Sequence, residues 1–325
     1  MKVASLAGQG HERHTDHVDV VLLTGIAQSA VAMALPLLLA ALGELIAERA
    51  GVINIGLEGM MLAGAFTAMA AAFFTGSAAI GLLAAWFSGA LLAAVFLFVV
   101  VGRGGNQIVT GIGINLLALG LTGVGYRAVF GVTGAALTVP GLSFFAIPGL
   151  SELPIIGPAF FNQTIVGYAA FLLVPLIAFG LYQTVAGVQL RMVGESPAAA
   201  VAQGVHPKVV QSLALLACGI LASTAGAYLA VAYARTFVEG MSAGRGFIAL
   251  AIVIFGRWSP WGVLAGALLF GTATALQFHV QAIGVRIPYQ FALMLPYVLT
   301  LAVLAGYAGK VVAPANLGVP LEAED

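Results

Sequence analysis

The sequence predicts an all-α protein, a polytopic bundle of about nine membrane-spanning helices, some of them broken. Hydrophobic residues make up 61% of the 325-residue chain and charged residues only 7%. The mean hydropathy of +1.08 lies outside the range of soluble domains. Apolar runs of roughly 20 residues, the length that crosses a bilayer, recur along the chain. Because lipid offers the backbone no hydrogen bonds, we expect these runs to be helices.

The predicted spans follow one another along most of the chain, and the seventh is short. They are 20–42, 57–75, 79–101, 107–128, 163–185, 209–232, 246–256, 261–281 and 287–308. The first run is too long for the apolar core of a secretory signal, and apolar chain continues beyond it, so we expect it to be retained. The sequence thus divides into a polar N-terminal tail (1–19), a transmembrane domain (20–310) and a C-terminal tail (311–325).

The N-terminal tail contains three histidines at three-residue spacing, His11, His14 and His17. Such spacing occurs in metal sites, but polar termini are commonly solvated and disordered. We therefore expect a disordered tail and assign it no metal and no function.

No motif in the chain predicts chemistry of its own. Twelve basic and twelve acidic residues cancel, so no basic surface predicts binding to nucleic acid. The lone Cys218 leaves no partner for a disulfide or a cysteine metal site. The sequence also lacks the GxxxxGK[ST] phosphate loop and the HExxH metal pair. We expect no catalytic residue, metal or cofactor, so any energy that the protein uses must come from a partner.

Asn54 and Glu58 lie four residues apart in the apolar stretch RAGVINIGLEGMMLAGAF (49–66). An ionisable group in hydrocarbon costs about 2.5–3.5 kcal/mol on insertion scales, so it usually faces a bundle interior, a water-filled path or a partner charge. Both residues are therefore candidates for a path taken by a polar solute. Nearby, Glu44, Glu48 and Arg49 predict a helix end at a membrane boundary, held by an ion pair or an interface.

Gln107, Thr110 and Asn115 lie on one face of the predicted span 107–128. Their amide and hydroxyl groups suit recognition of a polar solute. Hydrogen bonding between helices explains them equally well, and such bonds average only about 0.6 kcal/mol. The sequence leaves these two interpretations even.

Two glycine-rich clusters interrupt apolar runs, one in each half of the chain. The first covers 51–64, and the second, with Pro260, covers 240–262. Glycine costs about 1 kcal/mol inside a helix relative to alanine, so these clusters predict broken helices. Paired interruptions of this kind are typical of transporters with a site near the middle of the membrane. Close packing of helices through small residues is the alternative for any single glycine.

The connection 186–208 contains a short predicted helix, Ser196–Gln203. A serine or a glutamate caps its start, proline follows in the first turn, and Gly204 ends it. Such a helix suits docking into a groove on another protein, with Arg191 and Glu195 orienting its alanine face. A helix lying in the lipid headgroup layer is the alternative.

Four segments, in the same order along the chain, resemble the permease subunits of bacterial ABC importers for nucleosides. These importers are related to the simple-sugar and branched-chain amino-acid permeases. The segments are GELIAERAGVINIGLEGMMLAGAF (43–66), GNQIVTGIGINLLALGLTGVGYR (105–127), LRMVGESPAAAVAQGVHP (190–207) and GRGFIALAIVIFGRWSPWGVLAGALLFG (244–271). The resemblance extends from about residue 20 to residue 308, nearly the whole chain.

The resemblance implies a fold similar to the ten-span permeases of vitamin B12 and ribose importers. It implies a path for nucleosides or related polar solutes through the bacterial inner membrane, lined by Asn54, Glu58, Gln107, Thr110 and Asn115. The expected partners are cytoplasmic ATP-hydrolysing subunits, a second homologous permease and an extracytoplasmic substrate-binding protein. Residues 190–207 match the family's coupling helix, so the resemblance assigns contact with the ATPase to Arg191, Gly194, Glu195, Ala199, Ala200 and Gly204.

The first predicted span resembles the second span of ten-span relatives. With nine spans and the coupling loop in the cytoplasm, the N-terminus is expected outside the cell and the C-terminus inside. Basic residues divide evenly between the two sides, so the positive-inside rule does not decide the orientation. Two alternatives for function stay open: a permease for simple sugars such as ribose, and a self-contained transporter driven by an ion gradient.

Overall fold

The computed structural model describes residues 3–131, 137–282, 294, 298 and 312–319, and most of them are helical. The helices are α1 (Val3–Arg49), α2 (Leu57–Thr75), α3 (Ala78–Leu97), α4 (Gln107–Phe130), α5 (Ile156–Phe160), α6 (Ile165–Gln183), α7 (Val185–Glu195), α8 (Pro197–Ala202), α9 (Pro207–Ala227), α10 (Arg245–Phe255) and α11 (Pro260–Ala282). π-Helical turns extend α3 and α9, at Phe98–Gly102 and Tyr228–Tyr233.

Seven helices within the described residues are long and apolar enough to cross a membrane. They coincide with the predicted spans apart from the seventh and ninth, and the 57–75 span matches at both ends. The helix α10 is the short seventh run and is too short to be counted with them. The ninth predicted span, 287–308, lies outside the described residues. The predicted helical membrane bundle is therefore confirmed.

Helix α1 lies at the centre of the bundle and packs against α9, α10 and α11. Its segment 20–49 is mostly buried, and Leu35, Leu38 and Leu42 are completely enclosed. The backbone is helical from Val3, where the sequence predicts a disordered tail. By contrast, α4 and α6 expose most of their apolar surface, as expected of helices that face lipid or another membrane subunit.

Helices α2, α3 and α9 approach one another through small residues. A Cβ atom added to Gly219 in α9 would lie 2.6 Å from the Gly89 carbonyl oxygen in α3. Likewise, a Cβ atom on Gly64 would meet the Ser223 side chain at 2.7 Å. Gly64 therefore serves close helix packing, although it belongs to the cluster that predicts a helix break.

The connection between α4 and α6 forms a small structure that the all-α prediction lacks. Strands β1 (Phe144–Ala146) and β2 (Asn162–Thr164) pair antiparallel, with α5 between them. Tyr168 fastens this hairpin to α6, because its hydroxyl donates to the Phe145 carbonyl at 2.7 Å. Strands of three residues carry too little hydrophobic alternation to be recognised in a sequence.

Candidate functional site

The first predicted helix break is present between α1 and α2. Residues 50–56 connect the two helices as turns and irregular chain (the connecting segment). Gly51 has φ +88°, a conformation that side chains with a Cβ rarely adopt. Two N–H groups of the connecting segment find side-chain acceptors. The Ile53 N–H donates to Gln107 Oε1 at 2.8 Å, and the buried Asn54 N–H donates to Glu44 Oε1 at 2.8 Å. Side chains of α1 and α4 thus accept hydrogen bonds from backbone N–H groups that the break leaves without helical partners.

Asn115 in α4 holds the start of α2 through both ends of its amide. Its Nδ2 donates to the Ile55 carbonyl at 2.9 Å, and its Oδ1 accepts from the Gly59 N–H at 2.7 Å. Together with Gln107, it fixes α4 against the connecting segment. Both amides therefore bind backbone groups in this structure. A role of either amide in recognising a solute stays a prediction.

Asn54 lies inside the packed bundle, with no exposed surface. Its Nδ2 is 3.3 Å from both Met60 Sδ and Cys218 Sγ, which are weak acceptors. Its Oδ1 has no hydrogen-bond partner within the part of the chain that the structure describes. Asn54 thus joins α1, α2 and α9 at the break and does not line an open surface.

The second predicted break is also present, around α10. A turn precedes this helix, a further turn separates it from α11, and Gly244 at its N-terminus has φ +81°. Glu58, in the first turn of α2, accepts from the Gly244 N–H at 2.8 Å and from the Gly246 N–H at 2.7 Å. Its carboxylate therefore satisfies N–H groups at the start of α10, where the helix dipole also favours a negative charge. Glu58 links the two broken helices.

Thr110 is the candidate path residue that the structure leaves apart from this group. Its hydroxyl donates at 2.8 Å to the carbonyl of Asn106, the residue that caps the start of α4. The other four candidates meet at the connecting segment and its continuation into α2, whereas Thr110 makes only this local bond among the described side-chain hydrogen bonds. The assignment of all five to a solute path stays a prediction.

Trp258 was not recognised from the sequence, yet it organises the end of α1. Its indole N–H donates to Glu48 Oε2 at 2.5 Å. Its carbonyl accepts from the Arg49 guanidinium at 2.6 and 2.9 Å. The predicted helix end is confirmed, but Glu48 and Arg49 are joined through Trp258 and not by a direct ion pair in the described structure.

The predicted helix in the 186–208 connection is α8, and it forms a hairpin with the preceding α7 (the coupling hairpin, 185–204). Ser196 caps α8 by accepting from the Ala199 N–H at 3.3 Å, with Pro197 in the first turn. Gly204 follows with φ +76°. This left-handed conformation ends the helix at little cost only for glycine, as the sequence predicts.

The alanines of α8 do not share one face. Ala199 is exposed, as are Val201 and Ala202. Ala200 is completely buried and forms a small core with Val193 and Val205. The prediction that Ala199 and Ala200 together form a docking face is therefore wrong for Ala200, because its Cβ points into the hairpin.

Helix α7 of the coupling hairpin contacts both α6 and the C-terminal segment 312–319. The Arg191 guanidinium lies 5.4 Å from the centroid of the Tyr182 ring in α6. The Gly194 carbonyl accepts from the Asn316 N–H at 2.9 Å, and Glu195 Oε2 accepts from the Ala315 N–H at 3.2 Å. Glu195 thus bonds to the C-terminal segment. The predicted role of Arg191 and Glu195 in orienting α8 on a partner stays a prediction.

An exposed ion pair joins the end of α4 to the chain before α10. Arg127 and Glu239 form two parallel hydrogen bonds, each of 2.9 Å. The Arg127 side chain holds the pKa of Glu239 below its ordinary value through the hydrogen bond and the charge. The pair lies at the end of α4 opposite Gln107.

Comparison with known proteins identifies the family to which this chain belongs. A family described as the permease component of branched-chain amino acid transport systems matches residues 26–304. The guanosine ABC transporter permease NupQ of Bacillus subtilis is 36% identical over 93% of this chain and 98% of its own length. The nucleoside ABC transporter permease NupC of Lactococcus lactis is 37% identical over 87% of this chain and 92% of its own. The putative glucose ABC transporter permease TsgC13 of Haloferax volcanii is 37% identical over 91% and 95%.

Family membership and the bundle of membrane helices together define the kind of protein. Permeases of this family are transporter membrane subunits, not enzymes, and work with ATP-binding subunits and a substrate-binding protein. The chain belongs to the permease-component family of branched-chain amino acid transport systems and is a multi-pass membrane subunit of an ABC importer.

Proposed function

We propose that this permease forms the path for nucleosides in an ABC importer, with ATP hydrolysed on cytoplasmic subunits that dock on the coupling hairpin. The nucleoside assignment is supported by the relatives NupQ and NupC, whose names state guanosine and nucleosides. The glucose permease TsgC13 is equally similar and favours a sugar as the second candidate. A further homologous permease completes the path in this proposal, and the N-terminus lies outside the cell.

The observation that carries the coupling proposal is a continuous series of contacts from α8 to the helix breaks. Gly194 lies against the end of α1 so closely that an added Cβ atom would be 3.0 Å from the Arg49 carbonyl carbon. Gln211, at the start of α9, donates to the Ala50 carbonyl at 3.1 Å. The coupling hairpin and the start of α9 are therefore both fixed to the junction of α1 and the connecting segment.

The same connecting segment is fixed to the helices on its other side. Gln107 and Asn115 in α4 bind its backbone. Beyond it, Glu58 in α2 accepts a hydrogen bond from the start of α10. A displacement of the hairpin therefore reaches α4 and α10 through hydrogen bonds and tight packing, which transmit strain. This arrangement suits a subunit that converts movement of an ATPase into rearrangement of a path.

Uptake assays test both parts of the proposal. A strain that lacks this permease would receive the wild-type gene and be given radiolabelled guanosine, adenosine, ribose or glucose. We expect restored uptake of the nucleosides, with little uptake of either sugar. Uptake of a sugar alone would contradict the nucleoside assignment and support the second candidate.

A second strain would carry the same permease with its ATPase subunit deleted. We expect no uptake there, because no described feature of the chain hydrolyses ATP and the family obtains energy from a partner subunit. Uptake that continues without the ATPase and is abolished by a protonophore would support an ion-driven transporter and overturn the importer mechanism.

A further inference from the structure

A groove with a volume of about 360 Å³ opens on the bundle surface between the end of α3 and the start of α9. Its described lining residues are Ala94, Leu97, Phe98, Val101, Gly102, Lys208 and Ser212. The volume lies within the range of about 300–1,000 Å³ that is common for small-ligand sites. None of the contacts described above for the path or the coupling hairpin uses these side chains.

The π-helical turn Phe98–Gly102 forms the apolar wall of this groove. Phe98 is 62% exposed, and Val101 on the same turn and Leu97 at the end of α3 also line the groove. A π-helical turn is wider than a turn of α-helix, so its side chains do not continue the regular surface of α3. Such turns are frequent at functional sites. The wall thus presents carbon atoms to an occupant that lies along α3.

Two cations lie at or beside the groove. Lys208 lines it from the start of α9, and Arg103 follows the π-helical turn, with its guanidinium carbon 4.9 Å from the centroid of the Phe98 ring. No carboxylate lines the groove among the residues that the structure describes. The groove therefore combines an apolar wall with two nearby cations and no carboxylate among its described lining residues.

The groove also lies at a membrane boundary. It is formed where the candidate span Ala78–Gly102 ends and the candidate span Pro207–Tyr233 begins. Lipid headgroups occupy this level, and lysine and arginine side chains extend towards it while their carbon stems stay on apolar surface.

We propose that the groove binds an anionic phospholipid. Its phosphate lies between Lys208 and Arg103, and one acyl chain lies along Leu97, Phe98 and Val101. Basic pockets between membrane helices hold anionic headgroups in this way, and each cation near the surface adds a favourable attraction. The combination of charge and apolar wall fits an amphiphile better than a soluble phosphate ester. The inference does not depend on which solute the permease transports.

Native mass spectrometry of the full-length permease, purified with its partner subunits, tests the proposal. Phosphatidylglycerol and phosphatidylcholine with the same acyl chains would be added at equal concentrations. We expect phosphatidylglycerol adducts to predominate. Replacing Lys208→Ala or Arg103→Ala should weaken phosphatidylglycerol retention about fivefold for each cation removed, while phosphatidylcholine retention stays unchanged.

A matched pair of glycine variants tests the groove itself. Gly102 lines the groove, so Gly102→Leu should fill it and lower phosphatidylglycerol retention. The protein should tolerate this change, because an added Cβ atom would lie 3.6 Å from the Leu97 carbonyl oxygen, an ordinary contact distance. Gly180→Leu on α6, where an added Cβ atom meets nothing within 4 Å, should retain lipid like the wild type. Elution in size-exclusion chromatography would confirm that both variants are folded.

Three results would overturn the proposal. The first is equal retention of the two lipids by the wild type. The second is an undiminished preference for phosphatidylglycerol when Lys208 and Arg103 are both replaced by alanine. If that variant also loses the ATPase subunit, the groove is a contact surface for that protein. The third is displacement of the lipid by excess glycerol phosphate, which would identify a site for a soluble phosphate ester.

Discussion

The carboxylate of Glu58 in α2 accepts a hydrogen bond from the Gly246 N–H in α10 at 2.7 Å, across 188 residues of sequence. This bond and the parallel one from Gly244 make Glu58 a capping group that is supplied by a distant helix. The two helix breaks are therefore one structural unit, although the sequence shows them as separate glycine clusters.

Replacing Glu58→Ala is expected to lower both the stability of the permease and its uptake activity. The loss of a helix cap costs about 0.5–2 kcal/mol. Glu58→Gln should lie between alanine and wild type, because one amide oxygen still accepts one of the two bonds. Thermal unfolding of the purified protein and radiolabelled uptake would measure the effects. The control is Glu152→Ala, which removes an exposed carboxylate from the α4–α6 connection. If Glu58→Ala unfolds at the same temperature as this control, Glu58 is not a structural link.

Replacing Asn115→Ala is expected to destabilise the start of α2. The change leaves the Ile55 carbonyl and the Gly59 N–H without partners, and a buried unsatisfied group costs about 1–3 kcal/mol. The unfolding temperature and uptake should fall together. Thr110→Val serves as the control for stability, since the Thr110 hydroxyl bonds only to the residue that caps α4. An unchanged unfolding temperature for Asn115→Ala would show that the connecting segment does not need this amide.

Tryptophan substitutions should separate the two alanines of α8. Ala199→Trp projects from the exposed side of the coupling hairpin, so the permease should fold and insert but fail to retain the ATPase subunit on purification. Ala200→Trp overfills the small core with Val193 and Val205 and should destabilise the hairpin by about 1–3 kcal/mol. Co-purification, substrate-stimulated ATP hydrolysis and thermal unfolding would measure both. Normal ATP hydrolysis by Ala199→Trp would contradict docking at this surface.

Replacing Gly204→Val is expected to distort the end of α8, because its φ of +76° disfavours a β-branched side chain. The cost of a left-handed conformation in residues with a Cβ is roughly 1–2 kcal/mol. Gly204→Asn is the matched control, since asparagine tolerates this conformation. We expect weaker stimulation of ATP hydrolysis for valine than for asparagine. Equal stimulation of both variants would show that docking does not depend on this turn.

The pH dependence of stability should reveal the Arg127–Glu239 pair. The pKa of Glu239 is lowered in the folded protein, so its stabilising contribution is present above the unfolded pKa of about 4.3. It is lost as the pH falls through the lowered folded pKa. The unfolding temperature of Glu239→Gln should therefore be below that of the wild type at pH 7, with the difference disappearing in acid.

Salt supplies a second check on this pair, because both side chains are exposed. In about 1 M salt the Debye length is roughly 3 Å, so the difference between wild type and Glu239→Gln should shrink at pH 7. Glu152→Gln controls for the loss of one exposed charge. A difference that persists unchanged in acid would exclude the ion pair as its cause.

Local patterns predicted most of the fold. Apolar runs gave seven spans to within a few residues, except that α1 extends further than its run. Glycine clusters predicted both breaks, and Ser196, Pro197 and Gly204 predicted α8. Each of these signals depends on neighbours within a few residues, where helix capping and hydrophobic length act.

The partners of the candidate residues were not predictable in the same way. Glu58 bonds to α10, Glu195 to the C-terminal segment, and Glu48 to Trp258, all more than 100 residues away. No periodicity encodes such pairs. The orientation of Ala200 was not predictable either. Ala199 and Ala200 are the same residue type in adjacent positions, and only the packing of α7 on α8 distinguishes them.

Trp258 gives the permease a built-in optical reporter. Its indole is almost completely buried and bonded to Glu48, whereas Trp261 is 57% exposed and Trp86 bonds to Thr224. With the other two of the three tryptophans replaced by phenylalanine, the remaining tryptophan fluorescence would come from the junction of α1 and α11 alone. Its emission wavelength would then follow, without any attached dye, whether water enters that junction during a cycle of ATP hydrolysis.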